Sequence, residues 1–279
     1  MDTDTFDVVI SGGGLSGCLM ALSLADLTHV DGTRLSIAII EASPIRKSHT
    51  LTFDDRVLAL SHGSADYLEK VGAWQTLKND AQGIETIHIS DREHYGKARI
   101  YANEYDVDAL GYVVEMTLIG KSLLNALKVK NNIYKNISWF APDTINTIKW
   151  QQEYVDIVLS SGRTITANLL LGCDGGHSTC RKLANIKMTE TCYDQSALIA
   201  NVATVNAHNN IAYERFTGTG PLAMLPLSSV KDGESRCSLV WTLTPELADE
   251  MLSLNDTEFK QVLENNFGSW LGGITEVGK

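Results

Sequence analysis

The stretch that most constrains the fold of this chain is Phe6-Asp7-Val8-Val9-Ile10-Ser11 followed at once by Gly12-Gly13-Gly14-Leu15-Ser16-Gly17. Val8, Val9 and Ile10 form a short β-branched run, as in a parallel strand covered on both faces. Gly12, Gly14 and Gly17 then fall as G-x-G-x-x-G: the first makes a tight turn, the second lets a pyrophosphate approach the backbone, and the third packs helix on strand. Leu15, Cys18, Leu19 and Leu22 recur at helical spacing behind the turn. A second apolar run over 35–40 ends at Glu41, where an acid accepts from an adenosine ribose. Glycine turns alone also serve packing. Strand, glycines, helix, strand and acid in this order predict a dinucleotide site whose pyrophosphate meets the N–H groups at the helix start, including those of Leu15 and Ser16.

With 279 residues the chain exceeds one typical core, which predicts two domains or one large interleaved one. Lys and Arg number 23 against 34 Asp and Glu, and the net charge of −11 without a basic cluster excludes a nucleic-acid surface. The acidic residues 1–5 lead straight into a core strand and so read as neither a signal nor a transit peptide. No apolar run reaches the length of a membrane span. Cys18, Cys173, Cys180, Cys192 and Cys237 are odd in number and lack C-x-x-C spacing, as in a reduced, cytoplasmic protein. The seven histidines are scattered without metal-ligand spacing, and G-x-S-x-G is absent. Neither a metal site nor a hydrolase elbow is expected.

Past Glu41, Asp54-Asp55-Arg56 stands before a helix-like run, Val57-Leu58-Ala59-Leu60. Arg56 reads either as part of a solvated salt bridge or as a neighbour of an anionic cofactor. Residues 61–71 read as a helix closed by Gly72. Ile84, Ile87 and Ile89, then 98–101, alternate like two strands lent to a second domain. A helix carrying Leu118, Ile119, Leu123, Leu124 and Leu127 contains Gly120-Lys121-Ser122, which copies the end of a P-loop; the first glycine that motif needs falls on Glu115. A meander over 144–150, 154–159 and 164–167 feeds Leu169-Leu170-Leu171-Gly172-Cys173-Asp174-Gly175. There Asp174 could accept from ligand hydroxyls and Gly175 admit a ligand closely, or the pair is an ordinary turn. Segments 197–205, 211–216, 220–227 and 238–243 predict an antiparallel sheet, the natural floor of a substrate pocket. Pro245 opens a helix, and Asn255-Asp256-Thr257-Glu258 reads as a capping box before another.

Together Gly12-x-Gly14-x-x-Gly17, Glu41, 53–60, Cys173-Asp174-Gly175-Gly176-His177-Ser178, Glu214-Arg215-Phe216-Thr217, Gly220-Pro221-Leu222-Ala223-Met224-Leu225-Pro226-Leu227 and Ser238-Leu239-Val240-Trp241 resemble the FAD-dependent hydroxylases of ubiquinone biosynthesis. The likeness runs over essentially the whole chain, and the last stretches narrow it to the branch acting on octaprenyl-methoxyphenols. The resemblance implies an α/β fold in which a Rossmann-like FAD-binding domain (1–75 and 102–182) is interleaved with an antiparallel β-sheet substrate domain (76–101 and 183–279). It implies that Gly12, Gly14 and Gly17 hold the FAD pyrophosphate, Glu41 the adenosine ribose and Arg56 the flavin side. Asp174 and Gly175 would serve FAD and the passing NAD(P)H. Relatives often carry an amide and an arginine at the head of the Gly120 helix, where this chain has Met116 and Lys121. The implied reaction is hydroxylation of a polyprenylated phenol ring by NAD(P)H and dioxygen through a flavin hydroperoxide. Implied partners are a lipid-tailed substrate, a complex of ubiquinone-biosynthesis proteins and peripheral contact with a membrane, the inner membrane if the protein is cytoplasmic.

Nothing in the chain matches the family's third motif, Gly-Asp or Gly-Asn followed by Pro and Gly-Gln-Gly, and the sequence stops at Lys279. The resemblance therefore implies an N-terminal fragment that holds FAD poorly or not at all. Two rival readings stand beside it: an NAD-dependent dehydrogenase, since the first motif serves either nucleotide, and a non-catalytic fragment or assembly subunit of the same fold.

Overall fold

The computed structural model describes residues 4–44, 52, 56–230 and 233–278. In chain order the elements are β1 (Asp4–Ser11), α1 (Leu15–Leu24), β2 (Ile37–Ile40), β3 (Val57–Ser61), α2 (His62–Lys70), β4 (Gln82–Ile84), β5 (Thr86–Asp91), β6 (Lys97–Tyr101), β7 (Gly111–Glu115) and α3 (Met116–Tyr134). There follow β8 (Ile137–Phe140), β9 (Ile145–Trp150), β10 (Val155–Leu159), β11 (Thr164–Gly172), α4 (Thr179–Leu183), β12 (Ser196–Thr204), β13 (Ile211–Thr217), β14 (Gly220–Leu227), β15 (Ser235–Leu243), α5 (Pro245–Ser253), α6 (Asp256–Phe267) and β16 (Ile274–Val277). The fold is mixed α/β. It divides into two compact units: Met1–His49 with Glu69–Gln75 and Ile119–Glu190, and Thr50–Leu68 with Thr76–Leu118 and Thr191–Lys279.

The first unit holds a six-stranded sheet in the order β8-β2-β1-β11-β10-β9. β1 pairs in parallel with β2, Val8 opposite Ile37 through Ser11 opposite Ile40, and with β11, Ser11 opposite Gly172. The meander β9-β10-β11 is antiparallel and delivers β11 to the centre of the sheet. Successive side chains of β1 leave on opposite faces. Val9 joins Ala38, Ile40, Ile157, Ile165 and Ala167 in one core. On the other face Ile10, Ile37 and Ile39 are fully buried, and α1, lying against β1 and β2, buries Cys18, Ala21 and Leu22. β8, which the periodicity did not announce, extends the parallel edge beyond β2.

The second unit contains a seven-stranded sheet, β16-β12-β15-β14-β13-β5-β6, antiparallel except where β13 runs beside β5. Leu222, Met224, Leu239, Trp241 and Leu243 face Ala248 and Met251 of α5 and Phe259, Leu263 and Phe267 of α6. Both helices start as the sequence predicts. Thr244 accepts the Leu247 N–H before Pro245, and Asn255 accepts from Thr257 and Glu258 while the Glu258 carboxylate takes the Asn255 N–H at 3.1 Å.

The opposite face of that sheet is partly roofed by a small antiparallel sheet, β3-β7-β4, through Ile84, Val113, Ala212 and Leu227. Here one expectation is corrected: residues 57–60 are strand, not the start of a helix. Val57 to Ser61 pair with Glu115 to Gly111, so a tertiary partner decides what a short apolar run cannot. A charged pair is buried at the same place, with Arg236 Nη2 of β15 donating to Glu115 Oε1 of β7 at 2.8 Å.

Candidate dinucleotide site

At the end of β1 the backbone turns through Gly12 at φ +101°, and the Gly12 N–H donates to the Ile40 carbonyl at 2.8 Å. A Cβ on Gly12 would stand 2.4 Å from the Cys173 carbonyl oxygen, and one on Gly17 would stand 1.8 Å from the Gly12 oxygen. The turn, the start of α1 and the end of β11 therefore approach as only glycine permits. A Cβ on Gly14 meets nothing within 4 Å, so the space beside it is open. Gly14 is the N-cap of α1 and supplies no side-chain cap, and the first turn carries no acid. Leu15 and Ser16 thus begin a helix whose N–H groups receive nothing from a side chain, the arrangement that suits an anion.

Glu41 lies directly against this turn. Its Oε2 accepts the Gly13 N–H at 2.7 Å and its Oε1 the Ser43 N–H at 2.8 Å. Trp139 of β8 closes the same corner, its ring 2.8 Å from where a Cβ on Gly13 would be. On the far side of Gly12, Asp174 Oδ1 accepts from Ser178 Oγ at 2.6 Å and Oδ2 from the Cys180 N–H at 3.0 Å. Burial alone would raise the Asp174 carboxyl; those hydrogen bonds outweigh it and hold it below the usual range. Asp174 thereby fixes the start of α4, and Gly175 at φ +82° makes the turn between them.

These groups line one cavity of ≈ 380 Å³, bounded by Ser11, Gly12, Gly14, Glu41, Cys173 and Asp174 together with Asp143 and Thr144. A larger hollow of ≈ 540 Å³, on the strand surface beside Lys149, Tyr154 and Asp156, has neither a glycine turn nor a helix start. The thiol of Cys18 donates to the Gly13 carbonyl, and burial plus the charge of Glu41 push it up to about 12, so it is not a nucleophile at neutral pH. Among the described residues no group of three or more His, Cys, Asp or Glu could hold a metal ion, and no helix is long and apolar enough to cross a membrane.

The structure brings Gly12, Gly14, Leu15, Ser16, Gly17, Glu41, Asp174 and Gly175 together within the first unit. Lys121 is exposed on α3, one residue past Gly120, whose position adjoins Leu15 of α1. Arg56 belongs to the second unit, where it is exposed and its carbonyl accepts the Met116 N–H at 2.8 Å; Phe53, Asp54 and Asp55 lie outside the described residues. Sequence alone reads Trp139 as core or pocket wall and Thr144 as the start of a meander strand, but does not single out Asp143, which follows the unexpected β8. The Asp143 N–H donates to the Glu41 carbonyl at 2.9 Å, a link across a hundred residues that no local pattern encodes.

An open Gly14, an uncapped helix start and an acid at the end of the second strand fit a dinucleotide with its pyrophosphate on α1. The family model described as "FAD binding domain" matches residues 5–272, and the chain belongs to that family. Among curated relatives it is 32% identical over 280 residues to the human protein "Ubiquinone biosynthesis monooxygenase COQ6, mitochondrial", covering 96% of this chain and 57% of the relative. It is 29% identical over 275 residues to "Ubiquinone hydroxylase UbiL" of Rhodospirillum rubrum, covering 98% and 60%. The chain thus spans little more than half the length of these relatives. PqsL, "a probable FAD-dependent monooxygenase" of Pseudomonas aeruginosa, superposes with a TM-score of 0.74 at 17% identity over 95% of this chain and 68% of that one, a likeness of fold alone.

Proposed function

We propose that the protein acts as an FAD-dependent monooxygenase of ubiquinone biosynthesis, hydroxylating the aromatic ring of a polyprenylated phenol at the expense of NAD(P)H and dioxygen. The observation that carries the proposal is the joint lining of one cavity by the Gly12–Gly17 turn, Glu41 and Asp174, in a chain of the FAD-binding family whose curated relatives are named as ubiquinone-biosynthesis enzymes. FAD bound there supplies the electron transfer and oxygen activation, chemistry that side chains lack.

The chain's own residues bind and orient. N–H groups at Gly14, Leu15, Ser16 and Gly17 would hold the pyrophosphate, with Gly12 shaping the turn, and Glu41 would accept from the adenosine ribose. Asp174 and Gly175 would border the flavin and nicotinamide side, with Lys121 as a further cofactor contact. Ile199, Val240 and Ala223 stand in register across β12, β15 and β14 on the sheet face away from α5 and α6, an apolar floor for a phenol ring. A substrate with a long apolar tail calls for delivery from a membrane surface, or from a lipid-binding member of a biosynthetic complex.

Titrating the chain, extended to the length of its relatives, with FAD while following flavin fluorescence, then adding NAD(P)H, ¹⁸O₂ and a series of prenylated phenols, tests the reading. The expected result is phenol-dependent NAD(P)H oxidation with one labelled oxygen in the product. Release of NAD rather than FAD from the protein, or FAD binding without oxygen transfer to any phenol, overturns it.

A further inference from the structure

On the helix-covered face of the second unit's sheet, three buried hydrogen-bond donors end without an acceptor. Arg99 Nε donates to His88 Nδ1 at 3.3 Å, which leaves the proton of the neutral imidazole on Nε2. That Nε2, the Ser90 hydroxyl and Arg215 Nε are all buried, and none has a partner among the described residues. His88 and Ser90 are only 5% and 3% exposed. Register puts the three residues on one face of the sheet. His88 stands opposite Tyr213 and Arg99, and Ser90 opposite Arg215 and Lys97, so two adjacent rows across β13, β5 and β6 point to one face.

Trp270 lies over these rows. Its ring is 4.8 Å from that of His88 and stacks on Tyr213 at 5.7 Å and 14°, and the Arg215 guanidinium and Lys97 ammonium sit 5.0 and 5.8 Å from its centroid. In a chain of net charge −11, Lys97, Arg99 and Arg215 gather here, and among the described residues none of them pairs with a carboxylate. Asp91, the acid that acts on Arg215, holds His94 Nδ1 at 2.9 Å. Burial, and then the charges of Arg99, Lys97 and Arg215, push His88 down from its ordinary value. A positive field thus surrounds a neutral imidazole whose N–H has nowhere to donate.

Unpaired buried donors cost free energy until an acceptor arrives. Water would satisfy the donors and leave the positive charge uncompensated, whereas an anion answers both. We propose that His88, Ser90 and Arg215, ringed by Lys97 and Arg99, bind the phosphate group of a small phosphorylated molecule. Donors on three side chains from two strands suit a tetrahedral oxoanion better than a planar carboxylate, and the guanidinium adds charge-assisted bonds. Lys97 and Arg99 are exposed on the edge strand β6, beside the buried donors. The site uses none of the dinucleotide-site residues and stands whether or not the flavin reading holds.

Calorimetric titration with inorganic phosphate, against acetate at matched ionic strength, reads the binding, and ¹⁵N-imidazole NMR reads His88. The expected result is saturable one-to-one phosphate binding that raises the pKa of His88, because a nearby anion favours the imidazolium. Ser90→Ala and Arg215→Gln should each weaken it by about tenfold or more. Should the buried changes fail to fold, Lys97→Gln, at an exposed position, must still weaken phosphate binding and flatten its salt dependence. No saturable binding, a His88 resonance indifferent to phosphate, acetate binding as tightly as phosphate, or equal affinity in wild type and Lys97→Gln overturns the proposal.

Discussion

The three motif glycines differ in what a methyl group would strike, and that separates fold from ligand. At Gly17 the added carbon meets the Gly12 carbonyl oxygen at 1.8 Å, while at Gly14 it meets nothing and the backbone, at φ −72°, is one any residue adopts. Gly17→Ala should therefore destabilise the protein by about 1–3 kcal/mol, the usual cost of overpacking. Gly14→Ala should leave the melting temperature within a degree or two of wild type, roughly the ±0.5 kcal/mol of an unobstructed substitution, while weakening FAD where the pyrophosphate must approach. Thermal melting beside FAD titration checks both; equal stability losses in the two variants would show that Gly14 is a packing residue too. Much at this scale was legible, since turn, approach and packing are local demands met within six residues. The Glu115–Arg236 pair and the His88–Ser90–Arg215 group were not, because strand pairing between distant segments creates them. Glu115 stood out in the sequence only as the residue that spoils a P-loop.

Elements whose length and period agreed were readable: α1 behind its glycines, α3, the meander, β12 to β15, and the two capped helices α5 and α6. Short apolar runs were not. Val57-Leu58-Ala59-Leu60 and Ile137-Ser138-Trp139-Phe140 are strands only because β7 and β2 lie alongside them. β7 is also tied to β15 by the Glu115–Arg236 pair, at 2% and 0% exposure. Glu115→Ala would remove the carboxylate that accepts from the buried Arg236 Nη2, and the expected cost is about 1.5–3 kcal/mol, the range for a hydrogen bond between charged groups. Replacing both residues with methionine exchanges two desolvated charges for packing and should recover most of that loss. Urea unfolding of wild type, the single and the double variant decides the matter. A double variant no more stable than the single would mean that the pair supplies orientation which packing cannot replace.

At the scale of the whole molecule, the length indicated two domains or one large interleaved one and the acidic balance pointed away from nucleic acid, but neither reveals that the chain passes between its two units five times. Interleaving makes one unit hostage to the other even where its own strands are contiguous in space. Every strand of the six-stranded sheet lies before Glu190, and a chain cut there retains β1, β2 and β8 to β11 with all their pairings. It also retains β3 to β7. With 191–279 gone, β5 loses β13, Ile84 and Val113 lose Ala212 and Leu227, and Glu115 loses Arg236. Those strands would then present unpaired edges and an uncovered apolar face, the conditions under which strands join other chains. The 1–190 chain should therefore emerge largely as aggregate in gel filtration. A second truncation, in which 50–68 and 76–118 are also each replaced by a short Gly-Ser linker, removes β3 to β7 and should restore soluble monomer, since closing a short flexible loop in place of a long one carries little entropic cost. Soluble monomer from the first truncation would show that β3 to β7 find another partner within the chain; aggregation of both would show that the six-stranded sheet itself depends on the second unit.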